Sequence, residues 1–300
     1  MLNRHPLAFA TIVVGLLLAA WKSAPTGPTT LRQIETQHVA GPLYMLTGNG
    51  GNLGVSVGPD GVLLIDDKFA NLAEEIQEAL DALAEDADLA SGTPRFLVNT
   101  HHHGDHTGGN PFFGKKATIV AHENVRKRLS EPGASNPMAP TGLPIVTFAD
   151  GLSIHFNGEE LKLVHLAAGH TDNDTVVYFT GSNVVHTGDL CFNRLFPFID
   201  TAGGGSLAGY IADLDLLIRT TNEDTRFIPG HGALANRADL EALSGMLKTV
   251  KGLVQAELDA GKSIQDMQDE KLLARFDAWN WSFITADKLI DTVAKELGGQ

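Results

Sequence analysis

Residues Thr100–Thr107 read THHHGDHT and directly follow an apolar run, Phe96–Val98, that is typical of a short strand. In extended backbone His101 and His103 lie on one side of the chain, and His102 lies on the other. With His102 set aside because it points the other way, four side chains of this segment belong to types that bind zinc: His101, His103, Asp105 and His106. One zinc ion needs three or four ligands, so these four donors begin two metal sites and complete neither.

Three further donors occur later in the chain, each after an apolar run and beside a glycine. They are His170 in Ala168-Gly-His-Thr171, Asp189 in His186-Thr-Gly-Asp189, and His231 in Ile228-Pro-Gly-His-Gly232. A surface run of histidines has no reason to be accompanied by this repeated pattern. The pattern therefore favours a metal centre built from several loops.

Taken in order, the motifs HxHxDH, GHT, TGD and PGHG resemble the signature of the metallo-β-lactamase superfamily, over residues from about 40 to 235. The resemblance implies an α/β fold, a four-layer αββα sandwich of two mixed β-sheets flanked by helices. It also implies a metal site at one edge, between the two sheets. In that site His101, His103 and His170 hold a first ion, Asp105, His106 and His231 hold a second, and Asp189 bridges the two.

The chemistry that this resemblance implies is hydrolysis with two zinc ions, in which iron or manganese can replace one or both. Two such ions about 3.5 to 4 Å apart stabilise a bridging hydroxide, which attacks a substrate carbonyl. Asp105 is the expected catalytic residue, because it can orient the hydroxide and carry a proton to the leaving group. Asp66 ends a predicted strand and either supports a ligand histidine or is simply a polar strand end.

The substrate is less well defined by the sequence. A bridging carboxylate at Asp189 resembles glyoxalase II and lactonases, whereas some true β-lactamases have a cysteine ligand there, and Cys191 is only two residues away. Cys191 is interpreted as a buried small residue, with a ligand role as the alternative. Beyond it, aromatic residues alternate with Asn193 and Arg194, which predicts either an apolar wall with Arg194 free for a substrate carboxylate or plain core packing. The aromatic residues are Phe192, Phe196 and Phe198.

The first choice of function is a β-lactamase-like enzyme acting on cyclic amides or esters. An acyl-homoserine-type lactonase and a glyoxalase II-like thioester hydrolase are the alternatives, although Lys248 and Lys251 do not form the cationic pattern expected for glutathione. An iron-dependent oxidoreductase of the same superfamily is the alternative from another class. The expected partner is a small-molecule substrate, since a formal net charge of -14 opposes binding to nucleic acid.

Residues 1–30 are interpreted as a signal peptide or N-terminal anchor followed by a linker, because a basic start precedes the apolar run Leu7–Ala20. The protein is therefore expected to be exported, either to the periplasm or held at a membrane through residues 1–24 only. Residues 31–300 form the enzyme domain, with a C-terminal helical segment from about 236. Cys191 is the sole cysteine, so no internal disulfide exists.

Hydrophobic periodicity predicts most of the remaining elements. A meander of four strands is expected at 33–39, 43–46, 53–57 and 62–65, and later strands at 118–121, 145–148, 152–156, 161–166, 176–179, 184–186 and 227–228. A helix capped by Asn71 and ending near Ser91-Gly92 follows the meander, and two more helices carry the C-terminal residues. The proline-rich segment Ser130–Pro144 is expected to be irregular, either as a lid over a cleft or as a surface excursion.

Overall fold

The computed structural model describes residues 34–131 and 137–299. The predicted signal peptide, anchor and linker at 1–30 lie outside the described residues. Within the part of the chain that is described, no helix has the length and apolar character needed to cross a membrane.

The first β-sheet has seven strands in sequence order, with the first four antiparallel and the last four parallel. They are β1 (Glu35–Ala40), β2 (Leu43–Thr47), β3 (Leu53–Gly58), β4 (Gly61–Ile65), β5 (Pro94–Asn99), β6 (Thr118–His122) and β7 (Val146–Phe148). The meander that the turn residues predict is confirmed, and the short parallel strands β5 and β6 are buried.

The second sheet has six strands and is also mixed, because only β11 and β12 run parallel. Its strands are β8 (Gly151–Phe156), β9 (Glu159–Leu166), β10 (Asp174–Phe179), β11 (Val184–Phe192), β12 (Arg226–His231) and β13 (Ala235–Asn236). Every residue of β11 is buried, which places it at the centre of this half of the molecule.

Eight α-helices are found in the described residues. They are α1 (Ala73–Asp86), α2 (Gly104–Thr107), α3 (Asn110–Phe113), α4 (Glu123–Ser130), α5 (Leu207–Thr220), α6 (Arg237–Asp259), α7 (Ile264–Asp269) and α8 (Ala286–Glu296). The long helix α6 begins with a capping box, in which Asn236 and Asp239 each bond the other's backbone N–H.

The layers follow from three apolar clusters. One cluster lies between the sheets and joins Leu63 and Val98 of the first sheet to Val177 and Ile228 of the second. Another packs α1 against the outer face of the first sheet, and the largest packs α5, α6 and α8 against the second. The predicted four-layer αββα sandwich is confirmed.

The start and end of α1 differ from the prediction. Asn71 does not cap it, because residues Ala70–Leu72 form a 3-10 turn and the helix begins at Ala73 without a side-chain cap. The helix ends at Asp86, since Asp88 adopts a left-handed backbone with φ of 56° that cannot continue an α-helix.

Five of the eight helices were not predicted, namely α2, α3, α4, α5 and α7. The helix α4 runs to the edge of the proline-rich segment, and α5 follows the glycines at 203–205, which break any longer pattern. Ser206 caps α5 by accepting a hydrogen bond from the Gly209 N–H, and Leu207, Tyr210, Leu214 and Leu217 form its buried face. The helical spacing that identifies α5 is thus present in the sequence.

The described part of the segment 130–144 packs on the protein and does not line the cavity that is formed by Phe69, Phe192 and Trp281. Asn110 donates to the carbonyl oxygen of Gly142 at 2.9 Å, and Met138 and Leu143 contact the cluster around Leu129. None of these residues lines that cavity, so the described residues give the lid interpretation no support.

Candidate metal centre

All seven predicted metal-binding side chains lie together where the two sheets meet. His101 and His103 follow β5, Asp105 and His106 lie in α2, and His170 lies in the loop after β9. His231 is the last residue of β12.

Asp189 lies inside β11, whereas the sequence pattern predicted a loop position for it. Its neighbour Gly188 has a left-handed φ of 52°, and the pairing of β11 with β12 shifts there and again before Phe192. This irregularity changes which way the strand's side chains point. The Asp189 carboxylate thereby reaches the histidines.

The first ligand group contains three imidazole nitrogens and one carboxylate oxygen. The Nδ1 of His103 lies 3.1 Å from Nε2 of His101 and 2.9 Å from Nε2 of His170. Two nitrogens bound to one tetrahedral zinc at 2.0–2.1 Å lie about 3.3 Å apart, close to these separations. Asp189 Oδ2 completes the group at 3.4 Å from His170 and 3.8 Å from His101.

The second group contains Asp105, His106 and His231. Asp105 Oδ2 lies 3.3 Å from Nε2 of His231 and 3.8 Å from Nε2 of His106. Asp189 reaches this group too, with Oδ1 at 3.1 Å from His106 and Oδ2 at 3.5 Å from His231. One carboxylate therefore stands between the two groups.

Two buried atoms at this point are suited to binding a cation. His106 Nε2 and Asp189 Oδ1 are both buried and neither makes a directed hydrogen bond, although buried polar atoms are rarely left without one. A metal ion on each side would satisfy both atoms. The residues present thus fit a pair of ions.

Charge coupling within the centre is strong. Burial opposes ionisation of Asp189, but the surrounding imidazoles, His106 foremost, outweigh it and hold the pKa of Asp189 well below its usual value. Burial likewise opposes ionisation of Asp105, and His106 and His231 outweigh it, so its pKa falls to about 2. Both carboxylates are therefore anionic at neutral pH, as metal ligands must be.

The second ring nitrogen of three of the candidate ligand histidines, His103, His106 and His170, is also bonded. His106 Nδ1 donates to Asp66 Oδ2 at 2.7 Å, and His170 Nδ1 donates to the Phe198 carbonyl at 2.7 Å. His103 Nε2 donates to Asp200 Oδ2 at 3.0 Å. Such bonds fix the tautomer that turns the other nitrogen toward a metal.

Asp66, which holds His106, also bonds to Thr100 directly after β5. It adopts a left-handed backbone with φ of 59° and accepts hydrogen bonds from both the N–H and the hydroxyl of Thr100, each at 2.7 Å. The structure therefore places Asp66 against His106, in the supporting position that was weighed from the sequence.

Asp200 was not predicted to take part in the site, and no nearby motif signals it. Replacing it by Asn keeps its shape but removes the charge that holds His103. We expect Asp200→Asn to weaken zinc binding by about 10- to 100-fold, the usual effect of losing such a partner. Competition with a chromophoric chelator measures the zinc affinity. The control is Asp291→Asn, a partly exposed acid of α8, which should bind zinc as tightly as the wild type does. Equal affinities for wild type and Asp200→Asn would contradict the role.

Gly230 leaves the space that Asp189 occupies. A Cβ built on Gly230 collides with Asp189 Oδ1 and with the backbone of Gly188. We expect Gly230→Ala to displace the shared carboxylate and lower the amount of bound metal, as measured by elemental analysis. The control is Gly245→Ala in α6, where an added Cβ meets nothing within 4 Å. That variant should keep its metal and gain about 0.5–1 kcal/mol in the free energy of unfolding. Full metal content in Gly230→Ala would refute the steric argument.

The metal centre opens into a cavity of about 910 Å³. Its polar floor includes Asp105, Asp189 and His231. Asn52 also lines the cavity, and it donates to the carbonyls of Pro229 and Gly232, which lie on either side of His231 in the chain. Its other walls are largely apolar, formed by Met45, Phe69, Phe192, Leu195, Phe198, Trp281 and Phe283. This volume suits a small organic substrate.

The predicted contact of Arg194 with a substrate carboxylate is not supported, because Arg194 does not line the cavity. Asn193, named with it as a supporting or substrate residue, does not line the cavity either, but its backbone N–H donates to the His231 carbonyl at 2.9 Å. Arg194 has a left-handed φ of 59°, and its exposed side chain pairs with Asp239 at 2.9 Å, beside α6. Asn193 donates to the Ala233 carbonyl at 2.9 Å, so it fastens the turn after His231. Of the three predicted wall aromatics, Phe196 is buried in the core instead.

Cys191 belongs to the apolar cluster between the second sheet and its helices and is in neither ligand group. Burial raises the pKa of its thiol far above the ordinary value, which disfavours the thiolate that binds metals. The interpretation as a buried small residue agrees with this position.

Lys68 is a second residue that the sequence analysis missed. Its side chain is fully buried, its ammonium donates to the carbonyl oxygen of Gly51, and burial lowers its pKa to about 8 although Asp105 and Asp66 act to raise it. Gly51 has no room for a side chain, since a Cβ there would overlap the His106 ring. Lys68 therefore holds the loop 48–51 against the metal ligands.

Comparison with known families identifies the class of protein. The sequence profile of the metallo-beta-lactamase superfamily matches residues 46–231, which is more than half of the chain and contains all seven ligand residues. The chain belongs to the metallo-beta-lactamase superfamily.

Individual relatives match over shorter regions. The hydroxyacylglutathione hydrolase of Nostoc punctiforme is 32% identical over 142 residues, which are 45% of this chain and 49% of that protein. The one of Pelagibacter ubique is 28% identical over 101 residues, 33% of this chain and 37% of that protein. The chain thus spans less than half the length of these curated relatives. The family and these names indicate a hydrolase.

Solved structures show the shared fold. A metallo-beta-lactamase from Pontibacter korlensis superposes with a TM-score of 0.60 at 18% identity, covering 72% of this chain and 99% of that chain. The sec-alkylsulfatase Pisa1 from Pseudomonas sp. superposes with a TM-score of 0.65 at 17% identity, covering 89% of this chain and 50% of that chain.

Proposed function

We propose that this protein is a hydrolase with two bound zinc ions that adds water to the carbonyl carbon of an ester, a thioester or a cyclic amide. The observation that carries this proposal is the position of Asp189 between two ligand groups that open onto one cavity. His101, His103 and His170 would hold one ion, and Asp105, His106 and His231 the other.

Two zinc ions held by these residues would supply Lewis acidity, which would make water a nucleophile near neutral pH and polarise a carbonyl oxygen. Asp105 lies at the cavity with about a quarter of its side chain exposed, and it is ionised at neutral pH. It is therefore placed to take the proton that the attacking water loses. The bond from the carbonyl carbon to the leaving atom then breaks, and Asp105 returns that proton to the leaving atom.

The candidate substrates are not equally well supported. The names of the curated relatives favour a thioester as a second candidate. A substrate carboxylate was expected to use Arg194, and Arg194 is engaged by Asp239 outside the cavity. Esters and lactones without a carboxylate need no such partner and are therefore better supported than cyclic amides that carry one.

A substrate panel tests the proposed function. Zinc-loaded protein is assayed with p-nitrophenyl esters, a lactone, a glutathione thioester and a chromogenic β-lactam. We expect hydrolysis of at least one carbonyl substrate, loss of that activity with a chelator and its return with zinc. Elemental analysis of the active protein separates zinc from iron. Failure to hydrolyse any member of the panel above a zinc-matched blank would overturn the proposal.

A further inference from the structure

The wall of the cavity contains a segment that lies outside the region matched by the superfamily profile. We call residues 273–285, between α7 and α8, the C-terminal connector; the profile match ends at residue 231. Trp281, Ser282 and Phe283 of this connector line the cavity. These three residues therefore shape the cavity from outside the region that the profile matches.

Hydrogen bonds fix the connector beside the metal centre. The indole N–H of Trp281 donates to the Phe196 carbonyl at 2.9 Å, and the Phe196 N–H donates to the Trp279 carbonyl at 2.8 Å. The Trp281 ring lies 5.5 Å from the ring of His231. An aromatic wall is therefore held directly next to a predicted metal ligand.

Phe283 extends this wall toward the opening. Its ring packs edge-on against Phe198 at 5.3 Å and against Trp281 at 5.6 Å, yet 47% of its surface stays exposed. A large apolar side chain that remains exposed at a cavity mouth gains free energy when an apolar ligand covers it.

No lysine or arginine lines the cavity among residues 34–131 and 137–299. The basic side chains nearby are already engaged: Arg194 by Asp239, Lys68 by the Gly51 carbonyl, and Lys288 by the Phe283 carbonyl at 2.6 Å. A substrate carboxylate buried against Phe198, Trp281 and Phe283 would lose its hydration and meet no cationic side chain, which is costly. A methylene buried there improves binding by about fourfold.

From this wall and its lack of a cation we infer that the site acts on esters or lactones whose acyl group is uncharged and apolar, and that it discriminates against acyl groups ending in a carboxylate. The inference rests on the proposed function, because it concerns the same cavity and the same carbonyl chemistry. It assigns the connector, through Trp281 and Phe283, the binding of the acyl group.

A matched pair of substrates tests the inference. The p-nitrophenyl ester of hexanoic acid and the mono-p-nitrophenyl ester of adipic acid share a leaving group and a six-carbon acyl chain, and only the second carries a terminal carboxylate. We expect kcat/KM to be at least about tenfold higher for the hexanoate, since desolvating an unpaired charge costs more than that factor. From acetate through butanoate to hexanoate, kcat/KM should rise with chain length.

Two variants and one control test whether the connector is responsible for this substrate preference. Phe283→Ala should flatten the dependence on chain length mainly through KM. Ile145→Ala removes a more exposed apolar side chain, 71% exposed, that does not line the cavity, and it should leave the series unchanged. Ser282→Lys supplies the absent cation and should narrow the gap between hexanoate and adipate. Circular dichroism checks that each variant is folded.

The outcomes separate the inference from the proposed function. Equal or better turnover of the adipate ester by the wild type would overturn the inference while leaving the hydrolase intact. If no substrate of either panel is hydrolysed, the proposed function fails, and binding decides the inference independently. In that case quenching of tryptophan fluorescence should occur at lower concentration with hexanamide than with adipamic acid, its analogue with a carboxylate; the reverse order would overturn the inference.

Discussion

Replacing Asp189 by Ala is expected to remove most of the bound zinc and to lower kcat/KM by about a thousandfold or more, because both ligand groups lose their shared carboxylate. Asp189 lies within 3.1–3.8 Å of His101, His106, His170 and His231. Without it the first ligand group has no carboxylate, and Asp105 alone remains to offset the charge of two dications. Elemental analysis after dialysis and kinetics on the most active substrate measure the two effects.

The control for this variant is Asp215→Ala. Asp215 is a partly exposed acid of α5 that pairs with Lys248 at 2.7 Å, away from the metal centre. It should keep the zinc content and kcat/KM of the wild type. Two zinc ions per chain in Asp189→Ala would mean that the carboxylate does not join the two sites.

Replacing Asp105 by Asn is expected to lower kcat by about 10²- to 10⁴-fold, the usual contribution of a group that transfers protons. The amide keeps the size of the carboxylate but cannot accept the proton from water. The effect should be larger for an alkyl ester than for a p-nitrophenyl ester, because p-nitrophenolate leaves without needing a proton.

Zinc content is measured in the same Asp105→Asn samples, since Asp105 is also a predicted ligand. A kcat within twofold of the wild type, or an equal loss for both leaving groups in fully loaded protein, would reject the role of Asp105 in proton transfer. Comparing leaving groups distinguishes that role from simple loss of metal.

Local patterns were sufficient for the parts of the fold that depend on sequence neighbours. The alternation and turn residues of β1 to β4 predict the meander, and the glycines beside His170 and His231 mark the ends of strands. The ligand residues were identified because their motif is short and dense. The predicted end of α1 near Gly92 was wrong, because Asp88 adopts a left-handed backbone and the helix ends before it.

Features that depend on long-range packing were not accessible from local patterns. Asp189 was placed after a strand, but the bulge at Gly188 lets the strand continue through it. Arg194 was assigned to the substrate because the sequence does not show that Asp239, 45 residues later, binds it. Trp281 and Phe283 reach the cavity from a connector that carries no motif, so only the folded chain brings them there.

We propose that this chain holds two metal ions, one on either side of Asp189. The most direct measurement is anomalous diffraction at the zinc edge on crystals of zinc-loaded protein, combined with elemental analysis of the same preparation. We expect two zinc ions per chain, one among His101, His103 and His170 and the other among Asp105, His106 and His231. A single peak, or peaks away from these side chains, would contradict it.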